Sequence, residues 1–290
     1  MYLINRDVTV YSEMMHSELI NRSNILDTYD IITNKKKVII QIAGSAPLSL
    51  AKACKKIKEK GFSEINLNCG CPSPRVQSGK FGIILLTKPK LVSECINTIK
   101  KSVDIIISVK TRIGINKYNN NLIDIFLREL NSINVKKIII HARKALLKNI
   151  SAKKNLNIPK LNYDRVLQIK EKFKNNTIII NGGFEDTKND KKLLESIDGI
   201  MIGRSAYKNP WIFADNNNIA LQEKKKVINL YLNFLDKYFK NFKFSHSSVL
   251  HLQNIFNGYE GSKAWKKEIN RSIKNKNLAC LFEHLKYNMY

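Results

Sequence analysis

Short runs of β-branched residues alternate with amphipathic stretches along the first two thirds of the chain. Seven runs have the composition of buried strands: "VTVYS", "KVIIQIAG", "EINLNCG", "DIIISVKTR", "KKIIIHAR", "NTIIINGG" and "DGIMIGR". Between them, stretches such as "PLSLAKACKKIKEKG" have apolar residues at helical spacing. Apolar strands that alternate with amphipathic helices predict an α/β fold with a parallel sheet.

Nearly every predicted strand ends in polar residues or glycine. These end positions are Gln41, Asn68, Lys110, Arg112, His141, Arg143, Asn181, Gly182, Gly183, Gly203 and Arg204. In a β/α barrel the carboxyl ends of all strands meet at one mouth, where active sites lie. The pattern therefore predicts a TIM-type (β/α)8 barrel that lacks one strand, because the sequence contains seven strand signals.

The last quarter of the chain has a different character. From about residue 215 there is no strand signal, and "KKKVINLYLNFLDKYFKNFKF" and "GSKAWKKEINRSIKNKNLACLFEHLKY" have helical spacing. The sequence therefore predicts a barrel domain over residues 1–214 and a small C-terminal α-helical domain over residues 215–290.

Charge and cysteine content narrow the class of protein. Lys and Arg number 50 against 24 Asp and Glu, a net charge of +26, which favours a polyanionic partner, although a Lys-rich codon bias would also produce it. No run approaches the roughly 18 apolar residues of a membrane helix, and no targeting segment is predicted. Five cysteines without a Cys-x-x-Cys pair favour a reducing cytoplasm over disulfides or a metal site. A monomer is the default expectation.

Two features of the predicted mouth indicate an anionic ligand. "INGG" and "IGR" end the last two predicted strands, where barrels commonly bind phosphate, and Arg204 adds a positive fork; a simple turn is the other interpretation. Lys110 beside Arg112 is costly to bury without an anion, and a reduced flavin ring is one such partner. A solvent-exposed Lys110 and a purely structural His141 are the alternatives.

A thiol occupies the same predicted mouth. Cys71 follows a strand and precedes a proline that restricts the backbone, which suits a proton donor or a nucleophile. Cys69 lies within the strand and is interpreted as structural. Asn68, three residues before Cys71, is placed to orient a carbonyl-bearing ring against the thiol.

Six longer motifs follow one another along the sequence: "NLNCGCPSPRVQSGKFG", "VKTRIG", "IIHARKALL", "INGG", "DGIMIGRSAYKNPWIF" and "NIFNGYEGSKAWKK". As an ordered set, they resemble the tRNA-dihydrouridine synthase family, A-type bacterial branch. The resemblance implies FMN-dependent reduction of the C5–C6 bond of uridine in the D-loop of tRNA, at position 20/20a. In the family, NADPH reduces the flavin, hydride passes from flavin N5 to uracil C6, and Cys71 would donate the proton to C5.

The resemblance also implies a role for each candidate residue. Asn68 and Arg143 would bind the substrate uridine, and Gln41, Lys110 and His141 would contact the flavin ring. The residues for its phosphate would be Asn181, Gly182, Gly183, Gly203 and Arg204. The residues that would touch tRNA are Lys153, Lys263 and Lys266.

The chain departs from the family pattern at three places. Leu156 stands where the family has Arg, and Lys263 and Lys266 replace Arg, which binds phosphate with a planar fork. The family's first strand, with an Ala-Pro-Met segment against the flavin, has no counterpart before Val8. Three explanations are open: a start upstream of Met1, loss of the strand with weaker FMN binding, or a decayed protein that binds tRNA without turnover.

Two other functions compete with a synthase. A non-catalytic tRNA-binding remnant would use the basic surface alone, and Cys71 would then be dispensable. A flavin barrel that acts on a free pyrimidine is disfavoured, because it would need neither the charge nor the helical tail.

Overall fold

The computed structural model divides into two compact units. It describes residues 1, 3–30, 32, 34–116, 118, 121–147, 150, 154–186, 191–214 and 219–287. The first unit begins at Thr9, continues to Phe184, and includes the last strand up to Ile202. The second unit contains Met1–Val8 and the chain from Gly203 onwards.

Eight short strands form the sheet of the first unit. They are β1 (Val10–Tyr11), β2 (Met15–His16), β3 (Val38–Ala43), β4 (Glu64–Asn68), β5 (Ile106–Arg112), β6 (Lys137–His141), β7 (Thr177–Asn181) and β8 (Gly199–Met201). The seven predicted strands correspond to β1 and β3–β8, whereas β2 lies beyond the predicted run "VTVYS" (residues 8–12) and was not predicted. The break between β1 and β2 begins at Ser12, whose Oγ accepts a hydrogen bond from Gln41 N (2.9 Å), so that a side chain takes a place in the backbone ladder.

All strand pairs are parallel, in the order β1-β3-β4-β5-β6-β7-β8, with β2 also paired to β3. The register places Asn68 beside Lys110 and His141 beside Asn181, so that predicted site residues become neighbours. Among the described residues, no ladder joins β8 to β1 or β2, and the sheet has two edges. The α/β prediction is therefore confirmed, with seven strand positions of a parallel barrel.

Helices follow the strands and cover the outer face of the sheet. They are α1 (Ser17–Arg22), α2 (Pro47–Glu59), α3 (Pro74–Ser78), α4 (Pro89–Ser102), α5 (Leu122–Ser132), α6 (Tyr163–Lys172) and α7 (Lys191–Leu194). A proline begins α2, α3 and α4, at the turn where no backbone N–H is needed. The three isoleucines of β6, Ile138–Ile140, are almost completely buried, because the strand has core on both faces.

The second unit is built from helices. They are α8 (Arg204–Lys208), α9 (Leu221–Asn241), α10 (His246–Leu250), α11 (Ser262–Asn275) and α12 (Ala279–Tyr287). Trp211 belongs to its core, and Trp211 Nε1 donates to Ile255 O (2.7 Å). Asn5 Nδ2 donates to Phe213 O (2.9 Å), which ties the first residues to this unit. The unit therefore begins at Gly203, earlier than the predicted boundary after residue 214, because "NPWIF" packs with the helices.

A buried lysine fixes the turn that precedes α11. Lys224 Nζ donates to Tyr259 Oη (2.7 Å) and lies 5.2 Å from the centroid of the Trp211 ring. Aromatic rings attract the ammonium through their negative faces and partly replace its lost hydration. This contact places the turn before the helix that carries Lys263 and Lys266.

No helix in the described part of the chain is both long and apolar enough to cross a membrane. In the same residues, no cluster of three or more His, Cys, Asp or Glu side chains could hold a metal ion. All five cysteines are unpaired thiols.

The second unit should lose stability in mild acid because of His284. Its ring is 5% exposed, and burial lowers the pKa of His284, with the nearby Glu268 opposing the shift. The unfolded chain therefore takes up the proton first as the pH falls below about 6.5, and folding stability decreases. We expect a lower Tm at pH 5.5 than at pH 7.5, and a smaller difference in His284→Leu. Equal pH shifts in both proteins would contradict this role of His284.

Candidate active site

The site is built around a thiol at the carboxyl end of β4. Cys71 is half-buried, and its Sγ lies 3.6 Å from Ser73 Oγ. Asn68, the last residue of β4, accepts hydrogen bonds at Oδ1 from Gly70 N (3.1 Å) and Cys71 N (2.9 Å). The side chain of Asn68 therefore sets the turn that carries the thiol. Cys69 is fully buried and burial raises its pKa strongly, which agrees with the structural role predicted for it.

Arg112 holds the outer side of the same turn. It is 3% exposed, and its Nε donates to Gly70 O (3.0 Å). Its Nη1 donates to Lys144 O (3.3 Å) and Asn155 O (3.2 Å), in the segment after β6. Burial lowers the pKa of Arg112 to about 10. The sequence places Arg112 at a strand end beside Lys110 without a role of its own, and in the structure it binds three backbone carbonyls.

Gly82 closes the turn from the other side. Its φ is +57°, and a Cβ there would lie 2.3 Å from Val76 Cγ1 and 2.8 Å from Cys71 O. The next residue, Ile83, donates its N–H to Cys71 O (3.0 Å). The second glycine of "SGKFG", Gly82, is therefore required by the close approach of this backbone to Cys71.

Lys110 lies beside Asn68 in the neighbouring strand β5. Burial, helped by Arg112 and opposed by Cys71, lowers the pKa of Lys110 to about 8. Within the described part of the chain its Nζ makes no hydrogen bond or ion pair. A desolvated ammonium without a partner favours an anionic or electron-rich ligand. Gln41 is adjacent, because its Oε1 accepts from Asn68 Nδ2 (2.8 Å).

Two glycines after β7 create a close approach next to His141. Gly182 has φ +112°, and a Cβ there would lie 2.9 Å from His141 Cε1. Gly183 has φ +85°, and a Cβ would lie 2.5 Å from Leu161 Cδ1 and 2.6 Å from Tyr163 Oη. Tyr163 Oη donates to Gly182 O (2.7 Å), a contact that sequence reasoning missed. Neither Gly182 nor Gly183 could therefore be replaced by a residue with a side chain without a steric clash.

Two further predicted residues, Asn181 and Arg143, form side-chain hydrogen bonds with backbone carbonyls. Asn181 Nδ2 donates to Met201 O (2.8 Å) and ties β7 to β8. Arg143 Nη1 donates to Pro159 O, in the segment before α6. Both lie at the carboxyl ends of their strands, the same end of the parallel sheet as Cys71 and Lys110.

The remaining predicted residues belong to the second unit or fall outside the described part of the chain. Gly203 and Arg204 belong to the second unit, where both are exposed at the start of α8. Lys263 is exposed on α11, and Lys266 Nζ donates to Asn257 Oδ1 (3.1 Å). Lys153 lies outside the described residues.

A comparison with known protein families identifies the chain. The model of the dihydrouridine synthase (Dus) family matches residues 1–288. The chain belongs to the dihydrouridine synthase family. This confirms the resemblance carried by the motifs, and it makes Cys71 and its neighbours the candidate active site of an oxidoreductase of this family.

Curated relatives point to the same branch. The tRNA-dihydrouridine(20/20a) synthase of Shewanella oneidensis is 34% identical over 279 residues, which cover 93% of this chain and 82% of the relative. The enzyme of the same name from Synechocystis sp. is 32% identical over 277 residues, covering 93% and 83%. A solved structure of morphinone reductase is 12% identical and aligns with 61% of this chain and 50% of its own, with a TM-score of 0.41.

Gly82→Ala should destabilise the first unit. Alanine at φ +57° would bring Cβ against Val76 and Cys71 O, and a strained residue of this kind costs about 1–3 kcal/mol. Gly199→Ala is the matched control, because its nearest neighbour would lie at an ordinary 3.7 Å. Urea unfolding should show the loss in Gly82→Ala alone. Equal losses in the two variants would show that the approach to Cys71 is not tight.

Proposed function

We propose that this protein reduces uridine to 5,6-dihydrouridine in the D-loop of tRNA, at position 20/20a, with FMN as cofactor and NADPH as reductant. The family assignment and the names of the relatives support the reaction and the substrate. The net charge of +26 supports a polyanionic substrate.

The accessibility of the Cys71 thiol at the carboxyl end of β4 is the main support for this proposal. The thiol is half-exposed, whereas Cys54, Cys69, Cys95 and Cys280 are buried. Saturating the C5–C6 bond of uracil takes a hydride at C6 and a proton at C5. Cys71, held at the mouth by Asn68, Arg112 and Gly82, is the group we assign to the proton.

The residues at the mouth fit a flavin. The ammonium of Lys110, which has no hydrogen bond or ion pair among the described residues, suits the electron-rich part of the ring. Gln41 lies in β3, and His141 is the last residue of β6. The backbone at Gly182 and Gly183, where a Cβ would clash, suits a phosphate, with Asn181 beside it. When bound, FMN would supply the hydride. The phosphate role of Gly203 and Arg204 stays a prediction.

Recognition of tRNA requires contacts beyond the mouth. A base in folded RNA must leave its stack to reach a pocket, so the protein must also hold the surrounding backbone. We assign Asn68 and Arg143 to the uracil and Lys153, Lys263 and Lys266 to tRNA phosphates.

Five unpaired thiols support a reducing cytoplasm as the compartment. A monomer remains the default.

Cys71→Ala tests the proposed reaction. We expect the variant to lose at least about a hundredfold in dihydrouridine formation, the range of general acid catalysis, while it retains tRNA binding and the flavin spectrum. Mass spectrometry of nucleosides from a tRNA transcript, incubated with NADPH, measures the product.

Two outcomes would count against the synthase. Dihydrouridine formation by Cys71→Ala at the parent rate would remove the assigned proton donor. A parent protein that binds tRNA but forms no dihydrouridine, and behaves like Cys71→Ala in every assay, would favour the non-catalytic tRNA-binding remnant.

The pH dependence tests the role of Lys110. Because the pKa of Lys110 is about 8, its charge is present at pH 7 and is lost as the pH rises through that value. We expect kcat/KM for tRNA to fall about tenfold per pH unit above this point, as for loss of one required proton. Lys110→Arg keeps the charge and should move the alkaline limb upward. An unchanged limb in Lys110→Arg would assign it to another group.

A further inference from the structure

A continuous chain of side-chain hydrogen bonds lies beneath the Cys71 turn. From Cys71 N it passes through Asn68 (2.9 Å), from Asn68 Nδ2 to Gln41 Oε1 (2.8 Å), and from Gln41 Nε2 to Asn66 Oδ1 (2.9 Å). It continues from Asn66 Nδ2 to Ser108 Oγ (3.1 Å) and from Ser108 Oγ to Ile65 O (3.1 Å). Every donor points the same way along the chain.

The direction of this chain of hydrogen bonds is set by its two end groups. The N–H of Cys71 can only donate, and the carbonyl of Ile65 can only accept. Turning any one amide over would bring two N–H groups or two oxygens together in a buried place, where an unmade hydrogen bond is expensive. Aligned hydrogen bonds also polarise and strengthen one another.

Asn66 and Ser108 lie at the inner end of this chain. Both have 0% exposure, so neither can touch a substrate at the mouth. Asn66 nevertheless decides which atom of Gln41 faces Asn68, because it accepts from Gln41 Nε2 and leaves Oε1 for Asn68. We propose that Asn66 and Ser108 are positioning residues: they connect Gln41 to the fixed acceptor Ile65 O, hold Gln41 Oε1 towards Asn68, and thereby hold Asn68 and the Cys71 turn in place.

The fixed direction has a consequence for the base. Asn68 Oδ1 already accepts two N–H groups, and its Nδ2 gives one hydrogen to Gln41. In the described part of the chain the second Nδ2 hydrogen has no acceptor, so Asn68 can offer a ligand only a donor. Resting on the proposed function, this suits a carbonyl oxygen of uracil and opposes the exocyclic amine of cytosine.

The reactivity of Cys71 towards Ellman's reagent tests the proposal without flavin or tRNA. The other four cysteines are buried, so native labelling reports on Cys71, and Cys71→Ser supplies the baseline. Asn66→Leu removes the acceptor for Gln41, and we expect the labelling rate to rise about tenfold, the effect of losing one hydrogen bond that holds the turn.

Two variants separate positioning from general destabilisation. Asn176→Leu is the matched control, because it removes another buried amide of the same unit, whose Nδ2 donates to Val135 O (2.9 Å). Asn66→Asp still accepts from Gln41, and Ser108 can turn its hydroxyl towards the carboxylate. In both Asn176→Leu and Asn66→Asp, we expect Cys71 to react with Ellman's reagent at a rate within about twofold of the parent's, although each variant should lose stability.

Equal labelling of Asn66→Leu and Asn176→Leu would overturn the proposal, as would equal labelling of Asn66→Leu and Asn66→Asp. If Asn66→Leu does not fold, Ser108→Ala takes its place, with the same direction expected and the same control. In the active enzyme, Asn66→Leu should lower kcat with little change in the KM for tRNA. A parent without synthase activity would refute the proposed function but leave the labelling result valid.

Discussion

The position of the Cys71 thiol depends on the two hydrogen bonds that Asn68 Oδ1 accepts from the turn after β4. A single amide oxygen binds the N–H groups of both Gly70 and Cys71 and so ties the turn to the end of the strand. Arg112 fixes the carbonyl of Gly70 from the next strand, and Gly82 allows the chain to return against Cys71 O. The thiol is thereby held by three separate segments.

The parallel sheet makes this arrangement possible. Buried isoleucines in strands such as β6 supply the apolar contacts that stabilise the unit. Buried polar side chains lie along the strands and at their carboxyl ends. Burying Gln41, Asn66, Asn68 and Ser108 is tolerable because each forms hydrogen bonds with another member of the set. Lys110 differs from this set, because its Nζ has no hydrogen bond or ion pair within the described residues, and desolvation lowers its pKa.

The sequence predicts the strands and the strand-end residues well, because both depend on local pattern. It could not predict that the ladder breaks at Ser12, that Arg112 binds backbone carbonyls, or that Asn66 joins Gln41 to Ser108. These features depend on pairing between strands that are far apart in the chain. The packing of Trp211 with the helices of the second unit is likewise not visible in the local pattern. "INLN" contains both Asn66 and Asn68, and their alternation on one face of a strand was the available signal for a joint role.

The most direct measurement is the visible absorbance of flavin in the purified protein, loaded with FMN, reduced anaerobically with NADPH and then mixed with unmodified tRNA. The proposed function predicts an oxidised-flavin band that NADPH bleaches and that tRNA restores as uridine is reduced. A protein that takes up no FMN, or whose reduced flavin is indifferent to tRNA, would contradict it.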